Sequence, residues 1–292
     1  MVQRAERISH RTGGVAKPVG NITRGTTNAN RLRRVDRWLA GPQAWRLRTG
    51  TSGDGGNPDG GPKPGPHGPL VVDLGYGATP ITAVELQHRL AAVNPAVHVA
   101  GIEIEPGRVT AAKPLEHAGL SFHLGGFEIP VAGNPVMVRA FNVLRQYEEA
   151  DVPAIWAMVC SRLAPGGILV DGTCDEIGRL SSWVAVKPGG PVSLTLSLRF
   201  GAFALPSDVA ERLPKALIHH NVPGEKIHTF LQALDNAWLQ AAPLGAFGAR
   251  QRWVAGCQSL RTAGWPVRDG PARWRLGELT VDWAAVSPSV QL

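Results

Sequence analysis

The stretch Leu70-Val71-Val72-Asp73-Leu74-Gly75-Tyr76-Gly77 decides the fold of this chain. Its first five residues form a short and mostly apolar run, which is typical of a strand buried on both faces of a parallel sheet. Glycines at 75 and 77 follow at once and predict a tight turn at the carboxyl end of that strand. We therefore expect a buried strand that delivers Asp73 and the glycine turn to one edge of a sheet.

A helix and a second strand follow the glycine turn. Thr79 and Pro80 suit the N-cap and the first position of a helix, and apolar residues recur at helical spacing over 81–93. The apolar run 97–104 predicts the next strand, whose last acid, Glu103, lies 26 residues after Gly77. This order predicts a βαβ nucleotide-binding unit, in which an acid at this place reaches ribose hydroxyls.

The residues of the turn also exclude some nucleotides. A dinucleotide fingerprint needs a small residue at the sixth position of the turn, and here that position is Pro80, which also lacks an N–H to face phosphates. A pyrophosphate site, and with it an NAD-linked oxidoreductase, is therefore disfavoured. The chain has no Gly-Lys-Ser/Thr phosphate loop, so kinase and ATPase classes are excluded as well.

Four segments, taken in order, resemble the motifs of class I S-adenosylmethionine-dependent methyltransferases. Each motif is weak alone, because glycine turns and Pro-Gly-Gly turns are common, but their order is more specific. Together they span about residues 70–175, and they are Val71–Gly77, Gly101–Pro106, Phe141–Arg145 and Leu163–Val170.

The resemblance implies an α/β fold with a doubly wound, mostly parallel seven-stranded sheet that contains one antiparallel strand. It also implies S-adenosylmethionine as the cofactor. The glycine turn would surround the methionine part, Glu103 the ribose, Phe127 the adenine and Asn142 the sulfonium. The cofactor-binding residues expected from it are Asp73, Gly75, Tyr76, Gly77, Glu103, Gly126, Phe127 and Asn142. No catalytic residue is assigned, because in-line methyl transfer depends mainly on orientation.

The end of the third predicted strand departs from the family pattern. The family usually places an acid there that binds the adenine amino group, and in this chain the place falls on Gly126. Adenine is then expected to rest on Phe127 with a backbone N–H nearby. Glu128 would substitute for the missing acid if the register differs by one or two residues.

Positive charge is concentrated at the N-terminus. Residues 1–50 hold eleven Lys and Arg against two acids, a net charge of +9, and the remaining residues have a net charge of −2. The sequence predicts a basic, largely disordered arm over 1–50 with one amphipathic helix near Leu32–Leu39. Two interpretations stay open: a helix that binds RNA phosphates, or a helix that docks through Leu32, Val35 and Trp38 while its arginines face water.

The rest of the chain divides by composition. Residues 51–69 are rich in Gly and Pro and predict a flexible linker, and residues 70–205 form the cofactor-binding core. A helical insertion is expected over 206–266 and a final strand and tail over 267–292. Residues 192–200 alternate and predict an edge or antiparallel strand. Trp238, Trp253 and Trp265 are interpreted mainly as core, with an acceptor pocket as the alternative.

The composition limits which class of protein and which cellular compartment are expected. At 292 residues with 43% apolar content, the chain can bury an α/β core, and its three cysteines are too widely spaced for a disulfide framework. No apolar stretch is long enough to span a membrane, and the charged N-terminus is unlike a signal peptide. A cytoplasmic protein without a membrane partner is expected.

Other reactive side chains support weaker hypotheses. Cys174 lies where some RNA cytosine methyltransferases carry a nucleophile, but Thr173 and Glu176 fit a capping box, so a helix start is favoured there. Histidines 219, 220 and 228 with Glu225 do not make a repeated Glu-x-x-His pattern, so surface histidines and no metal are expected.

The sequence leaves the acceptor open between a small molecule and RNA. A non-catalytic module that keeps the fold and binds the cofactor or nucleic acid is the alternative to an enzyme, because Gly126 stands where an acid is usual.

Overall fold

One eight-stranded sheet runs through the computed structural model, which describes residues 18–22, 27–48 and 68–289. The strands are β1 Leu70–Leu74, β2 His98–Glu103, β3 Leu120–Leu124, β4 Met137–Phe141, β5 Ile168–Cys174, β6 Leu180–Lys187, β7 Gly190–Leu198 and β8 Glu278–Asp282. Their order across the sheet is β3-β2-β1-β4-β5-β6-β7-β8.

Helices connect the strands and cover both faces of the sheet. The α-helices are α1 Arg33–Ala40, α2 Ile81–Ala91, α3 Pro106–Ala112, α4 Val152–Cys160, α5 Lys215–Ile218, α6 Lys226–Gln240, α7 Ala249–Thr262 and α8 Pro271–Trp274. One hydrophobic cluster includes side chains of α1, α2 and α3, and the other includes side chains of α4, α6 and α7. Strands β1 to β5 pair in parallel. These features confirm a doubly wound Rossmann-like α/β fold.

The strand count differs from the prediction of seven strands with one antiparallel member. The last three strands are a meander, in which β6 pairs antiparallel with β5, β7 with β6, and β8 with β7. The sequence predicts a helix start at Thr173. That helix start is wrong, because β5 continues through Cys174 and turns back into β6.

The alternating residues 192–200 predict an edge or antiparallel strand with one polar face. The strand β7 is antiparallel to both of its neighbours, and it lies between β6 and β8 rather than at an edge. Ser193, Thr195 and Ser197 are buried, and the Thr195 hydroxyl bonds the Thr280 hydroxyl of β8 at 3.0 Å. The alternating Ser and Thr residues of β7 therefore form a buried polar stripe. One of them, Ser197, accepts a hydrogen bond from Arg34 of α1.

Residues 27–48 of the predicted arm are packed on the sheet. Leu32, Val35 and Trp38 are buried in the same hydrophobic cluster as side chains of α2. Of the two interpretations of this helix, the structure therefore has the docked one. Arg34 is also buried, and its Nη1 donates to Ser197 Oγ and to the Leu276 carbonyl, both at 3.2 Å. Burial lowers the pKa of Arg34 to about 10, so it remains charged at neutral pH.

We expect Arg34→Ala to destabilise the protein by about 2 kcal/mol, because it removes two charge-assisted hydrogen bonds and leaves buried acceptors without a donor. Arg33→Ala, on the exposed side of the same helix, is the matched control and is expected to change stability by about 0.5 kcal/mol or less. Urea unfolding of both variants measures the difference, and equal midpoints would show that Arg34 is not a structural arginine.

The region predicted as a helical insertion packs against the antiparallel half of the sheet. It contains α5, α6 and α7 with 3₁₀ turns at Pro206–Arg212 and Ala242–Phe247. Trp238 and Trp253 are buried in the core, and Trp265 packs edge-on against Phe230 at 5.4 Å. The final strand predicted within 267–292 is β8, and the short helix α8 precedes it.

Residues 1–17 of the arm and 51–67 of the predicted linker lie outside the described residues. Within the described ranges, no helix has both the length and the apolar character needed to cross a bilayer.

Candidate cofactor site at the carboxyl ends of the parallel strands

Two adjoining crevices open where the strand order reverses on either side of β1. The Arg31 crevice is lined by Thr27, Arg31, Leu32, Asp73, Gly75, Tyr76, Gly77, Thr82, Phe141 and Asn142. The Phe127 crevice is lined by Val19, Gly20, Asn21, Leu74, Gly75, Glu103, Ile104, Gly125, Gly126, Phe127, Val143 and Tyr147. Each of the eight residues predicted from the sequence lines one of these crevices, which meet at Gly75. This switch point is where α/β sheets bind ligands.

The glycine turn has the backbone conformation that its residues predict. Gly75 and Gly77 have φ angles of 70° and 84°, a left-handed region that disfavours other residues. The Gly75 N–H donates to the Ile102 carbonyl at 2.8 Å, which fixes the turn to β2. Tyr76 between them is buried with its ring edge-on to Phe122 at 5.4 Å, so its side chain anchors the turn from below.

Glu103 ends β2 directly beside this turn. Its carboxylate is buried, and it accepts from the Gly77 N–H at 2.9 Å and from the Ile104 N–H at 3.0 Å. Arg108 lies 3.5 Å from the same carboxylate. Oε1 accepts from the Ile104 and Glu105 N–H groups and Oε2 from the Gly77 N–H, so Oε2 retains a lone pair for a hydroxyl in the Phe127 crevice.

Asp73 is held inside the protein by a buried arginine. Arg139 of β4 donates from Nε to Asp73 Oδ1 at 3.0 Å, and its Nη2 lies 2.7 Å from Asp73 Oδ2. The same guanidinium pairs with Asp36 of α1, and the Thr82 hydroxyl donates to Asp73 at 3.0 Å. Burial by itself lowers the pKa of Arg139, but the two carboxylates more than offset this and raise it. The network joins α1, β1, β4 and the start of α2.

The start of α2 is less suited to a phosphate group than a dinucleotide-binding helix. The helix begins at Ile81 with Pro80 as its N-cap, one residue later than the sequence predicts. The Ala83 and Val84 N–H groups donate to the Pro80 carbonyl, and the Thr82 hydroxyl bonds Asp73. Pro80 has no N–H, so this helix start offers a phosphate one donor fewer than a helix that begins with a small residue.

The segment after β3 presents a donor and an acceptor side by side. The Glu128 side chain turns back so that Oε1 accepts from the Gly126 N–H at 2.9 Å. The adjacent Ile129 has a φ angle of 48°, a turn conformation unusual for a branched residue. Oε2 of Glu128 and the Phe127 N–H are both directed at Val19, at 2.9 and 3.0 Å. Glu128 therefore lies at the edge where the sequence lacks the usual acid.

Asn142 occupies a constrained position after β4. Its φ angle is 60°, and its N–H donates to the Gly172 carbonyl at 2.7 Å. Its side-chain oxygen accepts from the Cys174 N–H at 3.0 Å. Burial raises the pKa of the Cys174 thiol, which leaves it protonated and weakly nucleophilic at neutral pH.

Two arginines of the site were not found from the sequence. Arg31 lines the crevice beside the glycine turn, where its Nε donates to the Asp175 carbonyl at 2.9 Å. Arg139 had a signal that could have been used, since it is a charge within the otherwise apolar strand Met137–Phe141. Lys and Arg are rarely buried unless paired, so this pattern predicts a carboxylate partner.

The remaining reactive side chains lie apart from the crevices. Asp171 accepts from the Trp156 indole at 3.0 Å, and burial raises its pKa to about 7. Glu149 bonds His219 at 2.9 Å and His220 at 2.5 Å. Across the described ranges, no three His, Cys, Asp or Glu side chains are grouped to hold a metal.

Comparison with known proteins gives similarities among solved structures only. No protein-family profile matches the chain, and no curated protein matches it by sequence. Mitomycin 7-O-methyltransferase is 17% identical with a TM-score of 0.30, over 36% of this chain and 31% of that one. Magnesium protoporphyrin IX methyltransferase of Synechocystis, solved with bound SAH, is 17% identical with a TM-score of 0.34, over 49% and 54%.

Human N-acetylserotonin methyltransferase, solved with SAM, is 22% identical with a TM-score of 0.30, over 38% of this chain and 32% of that one. The chain thus spans about a third to about half of the length of these structures. The assignment to the Rossmann-like fold rests on the chain's own strand order and its parallel pairs.

Proposed function

We propose that this protein is an S-adenosylmethionine-dependent methyltransferase that binds its cofactor across the two adjoining crevices. One observation carries the proposal. The glycine turn, the buried Glu103 carboxylate and Phe127 line two crevices that meet at Gly75. The Phe127 N–H and the adjacent Glu128 carboxylate form a donor–acceptor edge, since both bond the Val19 backbone. Glu103 suits a ribose, and the Phe127 N–H with the Glu128 carboxylate suits the edge of adenine. An adenosyl group with no phosphate matches this set of groups.

The Arg31 crevice has the chemistry for the amino-acid end of the cofactor. Asp73 is already paired with Arg139, so we do not assign its carboxylate to binding the ligand. Arg31 brings a guanidinium to the same crevice, and a guanidinium favours a carboxylate ligand. We therefore assign the methionine part to the Arg31 crevice and the adenosyl part to the Phe127 crevice.

The residues of the site have a modest chemical task. S-adenosylmethionine would supply a methyl group on a positively charged sulfur, which leaves as a neutral thioether when the acceptor takes the methyl group. The protein has to hold the acceptor in line with it, and such orientation is worth up to about 7–11 kcal/mol. A general base is needed only for some acceptors.

The acceptor is either a small molecule or RNA. On α1, Arg34 is buried and bonded within the fold, so contacts from this helix to a nucleic acid would fall to the exposed Arg33 and Arg37. At least one of the N-terminal arginines, Arg34, therefore stabilises the fold and does not face a nucleic acid.

Calorimetric titration of the full chain with S-adenosylhomocysteine tests the proposal. We expect binding in the micromolar range, and no binding of NADH, because the start of α2 does not offer a pyrophosphate site. Failure to bind S-adenosylhomocysteine would overturn the proposed function. Binding without a methylated product in a broad acceptor screen would favour a non-catalytic module instead.

A further inference from the structure

Residues 18–22, here called the N-terminal strap, lie across the Phe127 crevice. Val19, Gly20 and Asn21 form part of its lining, although they are more than 100 positions away from Phe127 in sequence. The Phe127 N–H donates to the Val19 carbonyl at 3.0 Å, and the Val19 N–H donates to Glu128 Oε2 at 2.9 Å. The strap is therefore bonded to the donor–acceptor edge assigned above to adenine.

Two further hydrogen bonds hold the strap at its other end. The Asn21 N–H donates to the Tyr147 hydroxyl at 2.5 Å, and the Gln146 side-chain amide donates to the Asn21 carbonyl at 2.9 Å. Gly20 between these contacts has a φ angle of 140°, and a Cβ added there would lie 2.9 Å from the Tyr147 hydroxyl. The positive φ angle and this close approach therefore favour glycine at position 20 in the docked strap.

The Val19 backbone has the same hydrogen-bonding pattern as one edge of adenine. Adenine presents an amino donor next to a ring-nitrogen acceptor, and Val19 presents an N–H donor with a carbonyl acceptor to the same two groups. The Phe127 N–H has one hydrogen and makes one good bond at a time. Strap and base therefore compete for this N–H, and Val19 occupies the place from which a base would reach Glu128 Oε2.

We propose that the N-terminal strap is an internal occupant of the adenine site, which the adenosyl cofactor must displace to bind. This proposal rests on the proposed function of the crevice. The docked strap weakens binding of the cofactor, because the apparent dissociation constant is the intrinsic one divided by the fraction of molecules in which the site is open.

Gly20→Val tests the proposal in the full chain. Valine at a φ angle of 140° with a side chain against Tyr147 disfavours the docked strap, and the variant changes neither Phe127 nor Glu128. We expect S-adenosylhomocysteine to bind Gly20→Val about tenfold or more tightly than the wild type in calorimetry. Gly189→Val is the matched control, because a Cβ there meets nothing within 4 Å, and its affinity is expected to equal that of the wild type.

The outcomes separate this proposal from the proposed function. Equal or weaker binding to Gly20→Val would overturn displacement of the strap while leaving the cofactor site intact. Absence of binding to both proteins would overturn the proposed function, and the displacement proposal with it.

Amide hydrogen exchange provides a second measurement on the wild type. Added S-adenosylhomocysteine is expected to speed exchange at the Val19 N–H and to leave the Phe127 N–H protected, because the ligand replaces the Val19 carbonyl there. Continued protection of both amides in the saturated complex would show that strap and ligand bind together, and would overturn the proposal.

Discussion

Arg139→Met is expected to destabilise the protein by about 3–5 kcal/mol at neutral pH, the largest stability effect we predict. Arg139 is fully buried and binds both oxygens of Asp73, the Asp36 carboxylate and the Thr82 carbonyl. Its removal leaves buried carboxylates with fewer partners in a medium of low polarity. Urea unfolding measures the loss.

Arg89→Met is the matched control for this variant. Arg89 also pairs with Asp36, at 2.6 Å, but its side chain is 22% exposed. The buried Asp36 carboxylate keeps Arg139 as a partner when Arg89 is removed, so we expect a smaller loss of about 1–2 kcal/mol. Equal losses for the two variants would contradict the central position of Arg139 in the network.

The loss in Arg139→Met is also expected to depend on pH. Burial raises the pKa of Asp36, while Arg139 and Arg89 oppose the increase, so removing Arg139 raises it further. The folded variant then binds a proton that the unfolded chain, with a pKa of about 3.9, releases. Its stability relative to the wild type should therefore rise as the pH falls from 7 to 5. A loss that is constant over this interval would show that the carboxylates are not the cause.

Glu103→Gln is expected to weaken binding of S-adenosylhomocysteine by about 10- to 100-fold, the largest effect we predict on ligand binding. The substitution keeps the size of the side chain but removes the negative charge of the carboxylate. We propose that this carboxylate accepts hydrogen bonds from the ribose hydroxyls. The wild type should discriminate adenosine from 2′,3′-dideoxyadenosine, and the variant should lose most of that discrimination. Calorimetry with both nucleosides measures it.

Glu105→Gln is the control two residues further along. Glu105 caps α3 by accepting from the Gly107 and Arg108 N–H groups, and these bonds lower its pKa. We expect the control to lose a small part of its stability through the weaker cap and to keep its affinity for ligand. If Glu103→Gln binds both nucleosides as the wild type does, the assignment of Glu103 to the ribose is wrong.

The local sequence predicts the antiparallel half of the sheet less well than the parallel half. Thr173 and Glu176 have the spacing of a capping box, yet the segment turns back into β6. Asp175 closes this turn, since its carboxylate accepts from the Ile177, Arg179 and Leu180 N–H groups. Polar residues of this kind satisfy free backbone N–H groups at helix starts and in turns alike, so local sequence does not separate the two.

The sequence by itself determined the unit from β1 through the glycine turn and α2 to β2, and it located eight residues that line the two crevices. These signals are local, because a turn needs glycine and a buried strand needs an apolar run within a few residues. Only the tertiary structure decided what surrounds them. The partners of Arg139 and Val19 lie 103 and 109 positions away, at Asp36 and Glu128. A backbone N–H can bond any acceptor that the fold brings near, so the sequence carries no mark of such a pairing.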